Sequence, residues 1–135
     1  MNLNINTWKN DLKFLFNFVE RYDQDFYLDY PNEKVYWDEF FEYNYTIKKV
    51  DNIPIIKGLI SDINILLALP DSHPLWDVDN LKDGIFSDIV VQSSVHRINK
   101  GNIFDDSVLK KNPTARAWIT SVRDYMQEKL DNLKK

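Results

Sequence analysis

The chain has 135 residues, no cysteine, only three glycines and a formal net charge of −4. That length predicts one domain able to bury a core without staples. The missing cysteine excludes disulfides, thiol catalysis and cysteine-held zinc or iron–sulfur centres, and fits a reducing cytosol. So few glycines speak against a glycine-rich phosphate loop and a turn-dense β fold.

The first residues, Met1-Asn2-Leu3-Asn4-Ile5-Asn6, lack the basic start and apolar core of a signal peptide. Thr7 is placed to cap a first helix over residues 8–21. Trp8, Leu12, Leu15, Phe16 and Val19 make one apolar stripe, and Phe14, Phe18 and Tyr22 make a second. Two stripes predict a helix covered on two sides. Residues 24–30 read as an extended connection, because the residue before Pro31 avoids helical dihedrals. A second helix is expected from Pro31 or Asn32, with Glu33 favoured by the dipole and Val35, Trp37, Phe40, Phe41 and Tyr45 buried.

A third helix is predicted over residues 54–69. There Ile56, Leu59, Ile60, Ile63, Leu66 and Leu67 recur with a period of 3.6, and Pro70 stops the pattern. Lys57, Ser61, Asp62 and Asn64 break this apolar run, so it cannot span a membrane. Residues 71–112 leave helix and strand open. The segment Ile89-Val90-Val91 suits either. The last helix is expected over residues 114–130, carried by Ala115, Trp118, Ile119, Val122, Tyr125, Met126 and Leu130. The sum is an all-α, single-domain bundle of about five to six helices over residues 1–135, its middle region 71–112 undetermined.

Charge is unevenly spread. Residues 20–42 hold eight acids (Glu20, Asp23, Asp25, Asp29, Glu33, Asp38, Glu39, Glu42) against Arg21 and Lys34. The same stretch carries Tyr22, Phe26, Tyr27, Tyr30, Tyr36, Trp37, Phe40 and Phe41. Aromatics interleaved with carboxylates at this density suit a surface that docks a basic protein. A nucleic-acid site needs the opposite sign. The bland alternative is that these acids cap helices and pair locally. Residues 97–135 are the basic end, with nine bases and five acids, and solvated helix faces account for that.

Other chemistry is poorly supported. Asp23, Asp25 and Asp29 stand at i, i+2 and i+6, a spacing that a hard cation or an acid/base hydrolase could use. Asp77-Val78-Asp79-Asn80-Leu81-Lys82-Asp83-Gly84 imitates a calcium loop, but Leu81 and Lys82 stand where the oxygen ligand and the glycine belong. His73 and His96 are isolated and outside zinc-type spacing. Ser93-Ser94-Val95-His96 lacks the glycines of a nucleophile elbow. No metal or cofactor is expected.

The run Asp23-Gln24-Asp25-Phe26-Tyr27-Leu28-Asp29-Tyr30, following an aromatic-rich first helix, is similar to the N-terminal signature of contact-dependent growth inhibition immunity proteins. The last helix also resembles that family, opening on Thr114-Ala115-Arg116-Ala117-Trp118-Ile119. Between these motifs, the region 70–112 looks longer than the family's compact form. The resemblance implies a small helical protein, not an enzyme, that binds a toxin's C-terminal domain in the cytosol and neutralises it. Many such toxins are nucleases, hence basic around their active sites. The residues expected to face the toxin are Asp23, Asp25, Asp29, Glu33, Glu39 and Glu42, with Tyr27 and Trp37 as aromatic anchors. The alternatives are a small acidic regulatory or adaptor protein, or a metal-dependent hydrolase using Asp23, Asp25 and Asp29.

Overall fold

The computed structural model describes residues 3–22, 30, 33–44, 49–50, 53–77, 83–86 and 115–133. Within them lie α1 (Trp8–Asp11), α2 (Lys13–Val19), α3 (Glu33–Asn44), α4 (Ile55–Leu67) and α5 (Ala115–Leu133). A single 3-10 turn, Pro74–Trp76, follows α4. An antiparallel pair, β1 (Lys49–Val50) with β2 (Ile53–Pro54), leads into α4 in the register Lys49↔Pro54 and Val50↔Ile53. The all-α bundle predicted from periodicity is what these residues form.

The centre of the bundle is α4. Ile55, Ile56, Gly58, Leu59, Ile60, Ile63 and Leu66 are buried, a face wide enough to pack against both α2 and α5. Gly58 makes the α2 crossing close: a Cβ there would lie 2.6 Å from the Phe14 ring. Glycine in mid-helix costs about 1 kcal/mol relative to alanine, and here the cost is met by ring-to-backbone packing. Trp118, Ile119, Val122 and Met126 of α5 close the other side.

The expected first helix, residues 8–21, is two helices. Leu12 (φ −119°, ψ 54°) interrupts it. The physical reason is Asp62 on α4. Its Oδ2 accepts hydrogen bonds from the Phe14 N–H (2.9 Å) and the Leu15 N–H (3.1 Å). Those are two of the donors that open a helix without intrahelical partners. Leu12 has no side chain able to cap them, so a carboxylate from across the core does so. The two apolar stripes nevertheless meet the core as expected, with Phe16 only partly covered.

The far end of α4 is also closed from outside. Arg116 of α5 donates to the carbonyls of Leu67 (2.8 Å) and Leu69 (2.7 Å), ion-pairs with Asp71 (2.8 Å) and lies 4.4 Å over the Trp76 ring. One cation of the basic end is therefore a helix C-cap rather than a solvated face. His73 is a turn residue too, its Nδ1 accepting from the Leu75 N–H. In the middle region, Trp8 donates its indole N–H to the Asp83 carbonyl, and Ile85 and Phe86 join the core. Phe86 stacks on Trp76. The segment 89–91, left open between helix and strand, and the rest of 87–114 lie outside the described residues.

Candidate functional site

The acidic-aromatic segment separates into two faces once α3 forms. Glu33, Tyr36, Trp37, Phe40, Phe41 and Asn44 are buried, at the i, i+3, i+4 spacing of a single helix face. Val35, expected inside, is exposed, and Tyr36 takes the inner position. The rings build a continuous aromatic core: Phe18 stacks on Tyr36, Tyr22 meets Tyr36 and Trp118 edge-on, and Trp37 meets Tyr125. The Trp37 indole donates to the Tyr22 hydroxyl (3.0 Å), and the Tyr36 hydroxyl to the Phe18 carbonyl (2.6 Å).

Two of the expected surface residues are therefore interior ones. Glu33 is 0% exposed, and its Oε1 accepts from the Trp118 indole N–H at 3.2 Å. Trp37 is 1% exposed. Neither is offered to a partner in this fold. Both are held inward by α5, which the sequence places more than eighty residues downstream. Asp23, Asp25, Tyr27 and Asp29 lie outside the described residues. Glu39 and Glu42 are at the surface, as expected.

The outward face of α3 presents Val35, Glu39, Glu42 and Tyr43, the last 67% exposed. Beside it runs a cleft of about 480 Å³ between the end of α2 and α3, lined by Asn17, Glu20, Arg21, Tyr30, Tyr36, Glu39, Phe40, Tyr43 and Asn44. Four rings wall it. The Tyr30 hydroxyl donates to Glu39 Oε1 at 2.9 Å, and the Arg21 guanidinium lies 5.1 Å over the Tyr30 ring. Burial pushes the Tyr30 phenol up, and the Glu39 carboxylate adds to that by hydrogen bond and charge, against Arg21. The Tyr36 phenol is pushed far up by burial. Both therefore stay neutral donors at physiological pH. Among the described residues, Glu20, Glu39 and Glu42 form no ion pair.

The remaining acid of α3 faces the other way. Asp38 accepts from the Tyr125 hydroxyl and from Lys129 Nζ (3.0 Å) on α5. Burial pushes the Asp38 carboxyl up, but those two hydrogen bonds and the charges of Lys129 and Lys34 outweigh it and hold it below its ordinary value. Tyr125 is pushed up to about 12 by burial and by Asp38. Lys34 and Lys129 both lie near the Tyr125 ring. This cluster joins two helices.

The expected partner-facing set left out Glu20, counted only within the acidic stretch, together with Tyr43 and Asn44. A signal existed. Fixing the helix phase by Tyr36, Trp37, Phe40 and Phe41 leaves 35, 39, 42 and 43 outward. Among the described residues no group of three or more histidine or acidic side chains is arranged to hold a metal ion, and no helix is long and apolar enough to cross a membrane. No family model, curated protein or solved structure matches this chain.

Proposed function

We propose that this chain works by stoichiometric binding, as an immunity protein that neutralises a cognate contact-dependent growth inhibition toxin domain in the cytosol. The reading is supported by one observation above others. Glu20, Glu39 and Glu42 stand exposed and, among the described residues, without ion pairs, the first two in the cleft and the last beside Tyr43 on α3. A surplus of carboxylates over the single Arg21 beside a solvent-facing ring suits a basic partner, with acids steering the encounter and the ring anchoring it. A nuclease domain, which must hold phosphate, is such a partner. The acidic-aromatic motif and the Thr114 to Ile119 motif supply the resemblance to this family.

The test is co-expression with the toxin domain encoded beside this chain. A one-to-one complex and protected growth are expected. The variant E39K/E42K changes two exposed side chains, so it should keep its fold while association slows and its salt dependence falls. Glu33 is left alone, because a lysine at that buried position would unfold the protein for other reasons. A folded E39K/E42K that binds and protects as well as wild type moves the interface elsewhere. Capture of a basic partner that is not a toxin favours the adaptor reading.

A further inference from the structure

We infer that the cleft between α2 and α3 is a receptor for a guanidinium group, filled by an arginine side chain of the protein partner. This rests on the reading of the chain as a binder of a basic protein and names the group it takes. Three features carry it. The first is the wall: Tyr30, Tyr36, Phe40 and Tyr43 line the cleft, Tyr43 being 67% exposed, and about 480 Å³ is within the size of small-ligand sites. The protein's own Arg21 lies over the Tyr30 ring at 5.1 Å, so a guanidinium already meets this wall from within the chain, and Tyr43 is the wall's exposed ring for an incoming one.

The second feature is a surplus of acceptors. The Glu20 and Glu39 carboxylates line the cleft without an ion pair among the described residues, and Glu39 is met only by the Tyr30 hydroxyl. The third is Asn44. It lines the same cleft and is 7% exposed. Its Nδ2 is committed to the Phe40 carbonyl at 2.8 Å, and its Oδ1 has no hydrogen-bond partner among the described residues. A buried acceptor left without a donor is costly. A group that supplies several donors in a plane, carries positive charge and stacks on aromatic rings meets all three features. Guanidinium does so, while an ammonium lacks the plane and a neutral amide lacks the charge.

The proposal is tested by titrating the isotope-labelled full chain with N-acetyl-arginine methylamide, its lysine counterpart and its citrulline counterpart, the last a neutral isostere. Saturable shifts of the Asn44 side-chain amide and of Tyr43 are expected with the arginine compound, weaker ones with lysine and none with citrulline. The double variant E20Q/E39Q should weaken arginine binding by at least about tenfold. Both positions are exposed, and an unchanged amide spectrum of the free variant verifies its fold; Tyr43→Ser is the second variant. Equal response to citrulline, undiminished binding in both variants, or no saturable shift overturns the proposal. The two readings fail separately. A toxin captured by a chain whose cleft ignores arginine leaves the immunity function standing and removes the receptor. Arginine bound in the cleft by a chain that captures no toxin does the reverse.

Discussion

Replacing Asp62 tests a helix cap supplied from far along the chain. Its carboxylate is buried, and it serves two backbone donors at the start of α2 from a different helix. Asp62→Ala removes the acceptor and strands both N–H groups in the core. Each stranded donor costs about 1–3 kcal/mol. Relief of the desolvated charge and partial closure of the Leu12 break offset some of that, leaving about 2–4 kcal/mol. Asp62→Asn keeps an acceptor of the same shape and sheds the charge, so its cost should stay under about 1 kcal/mol. Urea unfolding followed by circular dichroism reads the difference as a midpoint roughly 1–2 M lower for the alanine variant, with the slope unchanged. The pH dependence has a definite sign. Burial raises the Asp62 carboxyl above its ordinary 3.8, against the pull of the Leu15 and Phe14 N–H groups and the Lys13 charge. The folded state therefore holds this proton more tightly than the unfolded chain. The associated stability is complete below the unfolded value and is lost as pH rises through the folded one. Asp62→Asn lacks that proton, so its stability relative to wild type should climb across this window and level off above it. Alanine and asparagine variants of equal stability would refute the capping role.

Gly58→Ala should destabilise by about 1–2 kcal/mol despite the better helix propensity, because its Cβ would meet the Phe14 ring at 2.6 Å. A double-mutant cycle with Phe14→Leu should show the two costs to be strongly non-additive. Arg116→Lys should lower stability by about 1–3 kcal/mol in chemical unfolding, since an ammonium cannot span the Leu67 and Leu69 carbonyls while stacking on Trp76. The Asp38 carboxyl is held below 3.8 in the folded state, so its contribution is complete above that pH and is lost as pH falls through the folded value. Asp38→Asn should therefore differ from wild type at neutral pH and converge with it in acid unfolding.

What was legible in the sequence was whatever one helix decides for itself. The α4 pattern and its stop before Pro70 follow from residues within a few turns of each other. So does α5, which runs to Leu133 on the face that Trp118 and Ile119 define. What was not legible depends on partners far along the chain. The break at Leu12 answers to Asp62 on α4, and nothing near Leu12 announces it. Glu33 reads as an exposed acid suited to a helix start, yet the Trp118 indole draws it fully inside. Trp37 reads as an anchor only while its acidic neighbours share its face. Burial of Tyr36 and Trp37 turned the helix so that acids and rings parted company.

That parting gives α3 two separable jobs. Its inner face supplies Tyr36, Trp37, Phe40 and Phe41 to a core that also holds Phe18, Tyr22 and Trp118. Large rings with few rotatable bonds lose little entropy on burial, and their edge-to-face contacts fix one arrangement. The outer face is then rigid, because its backbone is clamped from behind and by the Asp38 contacts to Tyr125 and Lys129. A rigid face needs less ordering when a partner arrives, so more of each contact's energy appears as affinity. Glu39, Glu42 and Tyr43 sit on that face, outside the hydrophobic core. Substitutions at Glu39, Glu42 or Tyr43 therefore change the surface with less risk to the fold than substitutions on the inner face at Tyr36 or Trp37. Dense carboxylates between aromatics in sequence thus describe a helix whose rings hold it in place, with Glu33 drawn in among them, Asp38 tied to α5, and Glu39 and Glu42 left at the surface.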